Sequence, residues 1–325
     1  MRTIDWVGGA VEIVDQTVLP QRTEMLRLST VDELVDAVRR LAVRGAPALG
    51  VAGAMGVALA ARQYEGDDAG LAEAVRRLET ARPTAVNLAR GVRRALAHLR
   101  HGADAVLAEA LRVRDEEIDS SAAMARLGAD LLLELSGPAP RVLTHCNTGS
   151  LATVVGGTAL AVVVELHRRG CLGGVIASET RPVLQGARLT AWELSRLGIA
   201  YRIAVDGAGP FLMARGEVDA VILGADRICA NGDVVNKVGS YAHALGARAA
   251  GIPFVVVAPE STVDPETASG QDVPIEDRGA AEVVAFGSAA TAPAGAAAVN
   301  PAFDVTPHEL ITAIVTERRV IRGSP

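Results

Sequence analysis

Hydrophobic positions follow a helical rhythm in the first third of the chain. Apolar residues recur every three to four positions in VDELVDAVRRLAV, which follows Ser29 and Thr30, and in LAEAVRRLETA, which follows Asp67 and Asp68. This spacing predicts amphipathic helices, and the polar residues in front of them are typical helix caps. The pattern therefore predicts a mostly helical first domain, residues 1–115.

Four further segments complete that domain. Residues 11–15 form a plausible strand, and Pro83 with Thr84 is expected to open another helix. The 17 residues 45–61 carry no charge, but they are rich in Ala and Gly and fall short of the roughly 20 residues that a membrane-spanning helix needs. We expect them to form a buried helix that packs through small side chains. The polar and apolar pattern of residues 104–135 predicts a long helix that leads into a second domain.

Short apolar runs replace the helical rhythm from Arg141 onward. RVLTHC, GGVIASE, AYRIAV, AVILGAD and PFVVVAP are separated by helical stretches. Strands that alternate with helices are typical of a parallel sheet built from βαβ units. The sequence therefore predicts an α/β fold in which residues 116–325 form a parallel-sheet domain. Ligands bind such sheets at the carboxyl ends of the strands.

Polar or glycine-rich turns follow all five runs. They are THCNTGS after the first run, ETRP with QG after the second, DG after the third, GADR after the fourth and PEST after the fifth. Because these turns share one edge of the sheet, they predict a polar crevice. The dinucleotide fingerprint G-x-G-x-x-G does not follow the first run, and the single lysine lacks the glycine loop of a P-loop. No cofactor is therefore expected.

Charge and cysteine usage narrow the class of protein. The net charge is −6 without a run of basic residues, so nucleic acid is not an expected partner. Cys146, Cys171 and Cys229 lie far apart, with neither a C-x-x-C pair nor a histidine at metal-ligand spacing, which argues against disulfides and structural zinc. The opening MRTIDWVGGAVEIVDQ is unlike a signal peptide. We expect a cytoplasmic enzyme without metal or membrane partners.

Cys146 and Asp226 are the candidate reactive groups. Cys146 follows a predicted strand and precedes the apolar segment GSLATVVGGTALAVVVEL, which is expected to be a helix whose N-terminus favours the thiolate. The alternative is a small buried core residue. Asp226 follows another strand directly and is a candidate general acid or base, the alternative being a helix cap or an ion pair with Arg227. His145 is expected to be a packed residue.

Three basic residues are candidate anion ligands. Arg44 precedes a glycine turn at the start of the buried helix, which suits a phosphate or carboxylate, and Arg82 stands at another helix start. For either arginine alone, a surface ion pair is the alternative. Lys237 is the single lysine beside 31 arginines, which suggests that a compact, flexible ammonium is required there. We expect it in a polar loop that leads into a helix at Val238.

These residues belong to longer motifs by which the chain resembles a known family. The motifs are VRGAPALG, ARPTAVNL, THCNTGSLAT, ETRPVLQGARLTAWEL, ILGADRICANGDVVNKVGSYAHAL, GIPFVVVAPESTVD and NPAFDVTPHELIT. In this order, and almost from end to end, they resemble the S-methyl-5-thioribose-1-phosphate isomerases. These are aldose-ketose isomerases of methionine salvage, related to the regulatory subunits of the translation-initiation exchange factor 2B.

The resemblance implies a fold, an activity and a set of site residues. The fold would be a small, mostly helical N-terminal domain with a Rossmann-like C-terminal domain, in a homodimer. The activity would convert 5-methylthioribose 1-phosphate to 5-methylthioribulose 1-phosphate. Cys146 in HCNTG and Asp226 in GADRI match the family's catalytic pair. The implied substrate contacts are Arg44, Gly45, Ala46, Arg82, Gln185, Asn236 and Lys237.

Several positions depart from the family's pattern. Ser178 stands where an acidic residue is expected, Gly207 stands where Asn is usual, and residues 279–299 are Ala-rich and irregular. These departures leave the preference at the sugar's 5-position open, so 5-deoxyribose 1-phosphate and ribose 1,5-bisphosphate are alternative substrates. A non-catalytic regulatory subunit is the other alternative, although it would not need both Cys146 and Asp226.

Overall fold

The computed structural model describes residues 2–82, 85–287 and 289–323. Its α-helices are α1 (Val31–Arg39), α2 (Ala46–Gln63), α3 (Asp68–Glu79), α4 (Val86–Leu96), α5 (Ala103–Ser136), α6 (Ala159–Arg168), α7 (Ala191–Arg196), α8 (Ala208–Ala214) and α9 (Ser240–Ala250). Its strands are β1 (Ile4–Val7), β2 (Ala10–Val14), β3 (Met25–Leu28), β4 (Arg141–Thr144), β5 (Gly174–Ser178), β6 (Tyr201–Ala204), β7 (Ala220–Leu223), β8 (Arg227–Cys229), β9 (Val234–Lys237), β10 (Phe254–Val257), β11 (Val263–Asp264), β12 (Ala285–Phe286), β13 (Ala289–Ala290), β14 (Phe303–Thr306), β15 (Ala313–Val315) and β16 (Val320–Arg322). Pro83 and Thr84, which the sequence places at a helix start, lie outside the described residues.

The first part of the chain combines a small sheet with helices α1–α4. Strands β1–β3 form an antiparallel sheet, of which the sequence predicts only β2. Helix α1 begins after Thr30, whose hydroxyl accepts from the Glu33 N–H while the Glu33 side chain accepts from the Thr30 N–H. Helix α3 begins after Asp67, whose carboxylate accepts from the Gly70 N–H. Both predicted helix starts are confirmed.

Helix α2 is the centre of the first hydrophobic core. Every residue from 51 to 61 is buried. Helix α4 packs against it closely, because a Cβ on Gly91 would overlap the backbone of Gly50, and one on Gly53 would overlap the carbonyl of Leu88. The predicted buried helix of small residues is confirmed. Among the described residues, no helix combines the length and hydrophobicity that a membrane crossing requires.

The second part of the chain is built on a seven-stranded sheet in the order β16-β15-β10-β7-β4-β5-β6. All neighbours are parallel except β16, which lies antiparallel at one edge. The five predicted runs form β4, β5, β6, β7 and β10, so these predictions are confirmed. Every residue of β7 and β10 is buried, as is typical of parallel strands covered on both faces.

Helix α5 connects the two parts as one continuous helix of 34 residues. Residue 115, the predicted domain boundary, therefore lies inside it. The first core takes residues of this helix up to Val113, and the second core takes residues from Met124 onward. We propose that the boundary lies between these two residues, with the helix shared by both domains.

The prediction of a helix directly after Cys146 is wrong. Residues 150–152 form a short 3₁₀ turn, and α6 begins only at Ala159. Gly156 and Gly157 interrupt the segment with φ angles of +84° and +110°, a left-handed region that breaks a right-handed helix.

The prediction of a polar loop around Lys237 is also wrong. Lys237 ends strand β9, which pairs with β14, so that Lys237 lies opposite Phe303. Helix α9 begins at Ser240 rather than Val238. The partner strand comes from a distant part of the chain, so the local pattern does not contain this pairing.

Candidate active site

The carboxyl ends of β4 and β7 lie side by side in the middle of the sheet. The chain runs from β4 outward through β5 and β6 and then returns to β7, so the direction of winding reverses between β4 and β7. Such a switch point opens a crevice outside the strand ends. Cys146 comes two residues after β4, and Asp226 comes three residues after β7. Both reach the same crevice.

A pocket at this crevice brings together every site residue that the sequence singles out. The space inside it that water-sized groups can occupy is about 70 Å³. The predicted residues in its wall are Arg44, Gly45, Ala46, Arg82, Cys146, Gln185, Asp226, Asn236 and Lys237. The first four come from the helical part and the other five from the sheet part, so the pocket lies between them.

Cys146 is held in an uncommon backbone conformation at the pocket wall. Its φ angle is +60°, a left-handed value that few residues with a side chain adopt. Thr180 Oγ1 accepts a hydrogen bond from the Cys146 N–H at 2.9 Å, and Thr190 Oγ1 donates to the Cys146 carbonyl at 2.6 Å. Both threonines are buried. Backbone strain that surroundings enforce in this way clusters at active sites.

The electrostatic surroundings of Cys146 differ from those that the sequence suggests. Burial raises the pKa of its thiol, and the positive charges of Arg44 and Lys237 oppose that rise. No helix begins directly after Cys146, so the expected stabilisation of the thiolate by a helix N-terminus is wrong. The thiol keeps its proton at neutral pH until a base or a bound substrate changes its surroundings.

Asp226 points a carboxyl group into the pocket rather than pairing with its neighbour. Arg227 instead pairs with Asp264 at 3.1 Å and donates to Thr267 Oγ1 at 3.0 Å. The alternative of an Asp226–Arg227 ion pair is therefore wrong. Burial raises the pKa of Asp226, while the charges of Lys237, Arg82 and Arg44 oppose the rise. A carboxyl that holds its proton above the usual range suits a general acid.

Arg44 is a buried cation, with only 8% of the residue exposed. Its Nε donates to Gln16 Oε1 at 3.0 Å, its Nη1 donates to the Asn147 carbonyl at 3.0 Å, and its Nη2 donates to Asn147 Oδ1. These partners are neutral, so the alternative of a surface ion pair is wrong for Arg44. Gly45 follows with φ +95°, and a Cβ there would come within 2.6 Å of the Ala152 backbone. Only glycine fits this turn.

Lys237 and Asn236 reach the pocket from the end of β9. The Lys237 Nζ donates to the Ala302 carbonyl at 2.6 Å and lies 4.8 Å from the centre of the Phe303 ring. Burial lowers the pKa of Lys237, and the negative charges of Cys146 and Asp226 would raise it again. The Asn236 side chain is buried and donates to Ser240 Oγ at 2.8 Å. Like the Arg44 guanidinium, the Lys237 ammonium therefore has a neutral hydrogen-bond partner.

Gln185 and Arg82 complete the predicted set. Gln185 is buried, and its Oε1 has no hydrogen-bond partner among the residues that the structure describes. It is therefore available to accept from a substrate hydroxyl. Burial lowers the pKa of Arg82, and the nearby charge of Asp226 opposes this. Arg82 and Asp226 thus act on one another across the pocket.

The pocket also contains residues that sequence reasoning missed. Asn147, Val183, Arg278 and Phe303 belong to its wall. Asn147 lies inside the HCNTG motif, and its place beside Cys146 was the available signal. Arg278 differs from the other cations because it pairs with a carboxylate, Glu282, at 2.5 Å. The local sequence carries no signal that places Arg278 at the strand ends.

His145 is packed in the interior, as predicted. It is fully buried, and its Nε2 lies 2.8 Å from the Val238 carbonyl. Burial lowers its pKa to about 4, so it is neutral at physiological pH. Outside the pocket, Asp233, His308 and Glu309 have ligand atoms within 4.8 Å of one another, but His308 and Glu309 are exposed.

A thiol, a carboxyl and several cations at the switch point of a parallel sheet define the site of an enzyme that acts on an anionic substrate. A model of the initiation factor 2 subunit family matches residues 42–323. The chain belongs to this family. Proteins named as isomerases and as translation factors both resemble this chain.

Three relatives carry isomerase names. A protein of Nocardia farcinica (strain IFM 10152), named "probable bifunctional methylthioribose-1-phosphate isomerase/methylthioribulose-1-phosphate dehydratase", is 53% identical over 100% of this chain, which spans only 60% of that protein's length. A methylthioribose-1-phosphate isomerase of Anaeromyxobacter sp. (strain K) is 53% identical, over 96% of this chain and 91% of its own. A 5-deoxyribose 1-phosphate isomerase of Moorella thermoacetica (strain ATCC 39073 / JCM 9320) is 48% identical, over 98% and 93%.

Two solved structures share the fold over nearly the whole chain. A 5-methylthioribose 1-phosphate isomerase from Pyrococcus horikoshii OT3 has a TM-score of 0.90 and 41% identity, covering 99% of this chain and 92% of its own. A structure titled translation initiation factor eIF-2B, subunit delta, from A. fulgidus has a TM-score of 0.87 and 43% identity, covering 99% and 96%. The fold prediction, α/β with a helical N-terminal part and a Rossmann-like sheet, is confirmed.

Proposed function

We propose that the chain is a methylthioribose-1-phosphate isomerase, which converts 5-methylthioribose 1-phosphate to 5-methylthioribulose 1-phosphate. The observation that carries this proposal is that Cys146 and Asp226 share one pocket with Arg44, Arg82 and Lys237. Relatives with this name, about half identical over nearly the whole chain, support it. No cofactor is needed, because hydrogen only moves between two carbons of the same molecule.

The chemistry of the substrate assigns a task to each group. Its anomeric carbon is locked as a phosphate acetal, so the ring must open before the carbonyl can form at C2. Asp226 suits the delivery of a proton to the ring oxygen, because burial raises its pKa. Cys146 would lie beside C1 and C2. Arg44, Arg82 and Lys237 would surround the phosphate and hydroxyl groups and stabilise developing negative charge.

Two routes can move the hydrogen from C2 to C1. In the first, the Cys146 thiolate removes the C2 proton from the ring-opened sugar and an enol phosphate forms. C1 then receives a proton, and the C2 hydroxyl releases its proton to a base as the carbonyl forms. In the second, the C2 hydrogen moves to C1 as a hydride, and the C2 hydroxyl releases its proton to a base. Turnover in deuterated water distinguishes them. Solvent deuterium at C1 of the product would contradict the hydride route, and its complete absence would contradict exchange through the enolate.

The 5-position of the sugar decides between related substrates. The Moorella relative makes 5-deoxyribose 1-phosphate the second candidate, and ribose 1,5-bisphosphate is the third. Leu41, Val183 and Phe303 give the pocket apolar wall, which favours an uncharged 5-substituent over a second phosphate. We expect kcat/KM to be largest for the methylthio sugar when the three compounds are assayed side by side. A larger kcat/KM for another sugar would identify that sugar as the substrate. Failure to turn over any of the three sugars would contradict isomerase activity.

We further propose a cytoplasmic homodimer. Its three cysteines are free thiols, which suits a reducing compartment. Several apolar side chains at the β6 edge and on α8 and α9 are exposed, namely Ile203, Val205, Phe211, Tyr241 and Leu245, and such patches often mark contacts between subunits. Light scattering should give twice the mass of one chain, and a Phe211→Asp variant should shift it towards one. A monomeric wild type would contradict the dimer.

A further inference from the structure

We propose that Glu193 is a positioning residue for this reaction. Acting through Asn147, it sets the direction in which the Arg44 guanidinium faces the substrate. The inference rests on the proposed function, because Arg44 is taken to hold a sugar phosphate. Glu193 does not line the pocket itself, and its contacts with Arg44 are indirect.

A chain of hydrogen bonds joins Glu193 to Arg44 inside the protein. Arg44 donates to Asn147 through Nη1 at 3.0 Å and through Nη2 to Oδ1. The Asn147 side-chain Nδ2 donates in turn to Glu193 Oε1 at 2.7 Å. On its other side, Glu193 Oε2 accepts from the Ser150 N–H at 2.7 Å and from the Ser150 hydroxyl. Arg44, Asn147 and Glu193 are each at least nine-tenths buried.

The direction of this chain follows from the carboxylate at its end. A carboxylate accepts on both oxygens, so the amide NH₂ of Asn147 must face Glu193. The carbonyl oxygen of Asn147 must then face Arg44, where it accepts from the guanidinium. If the end group were an amide, Asn147 could turn over and present its NH₂ to Arg44. Two donors would then face each other, and the guanidinium would be displaced.

The neutral amide between the two charges has a second consequence. A guanidinium has five N–H donors, and the three bonds to Gln16 and Asn147 leave two for another partner. Because Asn147 separates Glu193 from Arg44, the positive charge of Arg44 is oriented without being neutralised by direct pairing. It remains available for an anionic group in the pocket.

The motif around Cys146 provides room for this arrangement. A Cβ on Gly149 would overlap the Glu193 carboxylate, so a larger residue there would displace the carboxylate from Asn147 and Ser150. Thr190 also belongs to the arrangement, since its Oγ1 donates to the Cys146 carbonyl and lies 3.3 Å from Asn147 Nδ2. Residues of the HCNTGS motif and of the segment LTAWEL thus contact each other. Together they hold the Cys146 backbone and orient Arg44.

A Glu193→Gln variant tests the proposal with the full-length protein. We expect KM for the pentose 1-phosphate that the wild type turns over to rise about tenfold or more, with a smaller fall in kcat, because the loss lies in substrate binding. Glu117→Gln is the matched control, since Glu117 is also a buried carboxylate on a helix that accepts from a serine. Its KM should equal that of the wild type. An unchanged KM in folded Glu193→Gln would overturn the proposal.

A double variant, Asn147→Asp with Glu193→Gln, separates positioning from mere stability. In the double variant, the carboxylate at position 147 accepts from Arg44 and from the side-chain amide at position 193. The oxygen of that amide accepts from Ser150, so these hydrogen bonds can all be satisfied. We expect its Tm to recover most of what Glu193→Gln loses, while KM stays raised, since Arg44 now pairs directly with a carboxylate. Recovery of both Tm and KM would overturn the proposal, even where the single variant fails to fold.

The same assays distinguish this inference from the proposed function. A wild-type protein that turns over none of the three sugar phosphates would contradict the proposed function, whatever the variants do. A wild type that turns one over, with variants that share its KM, would contradict the role of Glu193 alone.

Discussion

Two of the cavities between the helical part and the sheet part differ in how their charges are paired. The candidate active-site pocket has about 70 Å³ of space for water-sized groups, whereas a second cavity, between helices α4 and α5 and the segment that follows β10, has about 770 Å³. In the second cavity, Arg94 pairs with Glu109 at 2.6 Å and with Glu116 at 2.8 Å. In the pocket, Arg44 and Lys237 donate to neutral amide and carbonyl oxygens.

We infer that buried cations with neutral partners, rather than a large volume, mark the candidate active site. A cation already bound to carboxylates has little attraction left for a substrate anion. A buried cation with neutral partners keeps its charge, and its burial strengthens the interaction with an anion that enters. The reactive groups Cys146 and Asp226 also belong to the smaller cavity.

Loss of the Asp226 carboxyl should have the largest effect. We expect Asp226→Asn to lower kcat about a thousandfold, within the range for a general acid or base. Asp219→Asn is the control at the opposite end of the same strand, where Asp219 pairs with Arg141 at 2.6 Å on the surface. Its kcat should stay near that of the wild type. Steady-state kinetics of both purified proteins provide the measurement, and equal kcat values would exclude Asp226 as the acid.

Loss of the Cys146 thiol should have the next largest effect. We expect Cys146→Ala to reduce kcat about a hundredfold or more, as for other proton-transfer groups. Cys229→Ala is the matched control, because Cys229 is buried in β8 away from the pocket, where burial raises its pKa to about 11. The same kinetic assay should show the kcat of the control within about twofold of wild type, because Cys229 does not line the pocket. Near-native turnover by Cys146→Ala would remove the thiol from the mechanism.

Replacement of the single lysine should have a moderate effect. Lys237→Arg keeps the charge, but it replaces the compact ammonium, which donates to the Ala302 carbonyl beside the Phe303 ring, with a larger planar group. We expect KM to rise about tenfold, which corresponds to roughly 1.4 kcal/mol of binding free energy. Isothermal titration with the substrate on an inactive Asp226→Asn background measures the affinity directly. Unchanged affinity would mean that the lysine is not required there.

A carboxylate of the second cavity should affect stability and leave turnover unchanged. Burial raises the pKa of Glu117 to about 7, reinforced by Glu317 and Glu116 and opposed by Ser261 and Arg90. The folded state thus favours the protonated form of Glu117. The contribution of this proton to the free energy of unfolding is complete below pH 4.5 and is lost as the pH rises through about 7.

Glu117→Gln removes this dependence. We expect the variant to gain stability relative to wild type between pH 5 and pH 8, by at most about 3 kcal/mol. Urea unfolding of both proteins across that range measures the difference, and kcat at pH 7 should be equal. If the free energies of unfolding of the two proteins differed by the same amount at every pH, or if Glu117→Gln lost turnover, Glu117 would not have the purely structural role proposed here.

The strand-end rule predicted the site because a parallel sheet converts a local pattern into a common edge. Each apolar run that forms β4 or β7 is visible within a few residues, and the polar turn behind it must then lie at the carboxyl edge. For this reason Cys146 and Asp226 line one pocket, whereas Arg44, Gly45, Ala46 and Arg82 reach it from the helical part. Buried helix α2 was predictable on similarly local grounds.

The features of the site that the sequence pattern did not predict depend on contacts between distant segments. Strand β9 forms a hairpin with the preceding β8, but its pairing with β14, which places Asn236 opposite Asp304, joins distant segments of the chain. Glu193 meets Asn147 and Ser150 across 46 and 43 positions of the chain. Arg278 reaches the pocket from a segment whose sequence is irregular. Their roles follow from the packing of segments rather than from the pattern within any one of them.

A crystal structure of Asp226→Asn with 5-methylthioribose 1-phosphate would show whether the sugar phosphate binds beside Cys146. The sugar phosphate is expected in the smaller pocket, with its anionic and hydroxyl groups at Arg44, Arg82 and Lys237 and with C1 and C2 beside Cys146. A ligand bound in the second cavity, or one whose carbons lie away from Cys146 and position 226, would contradict the account.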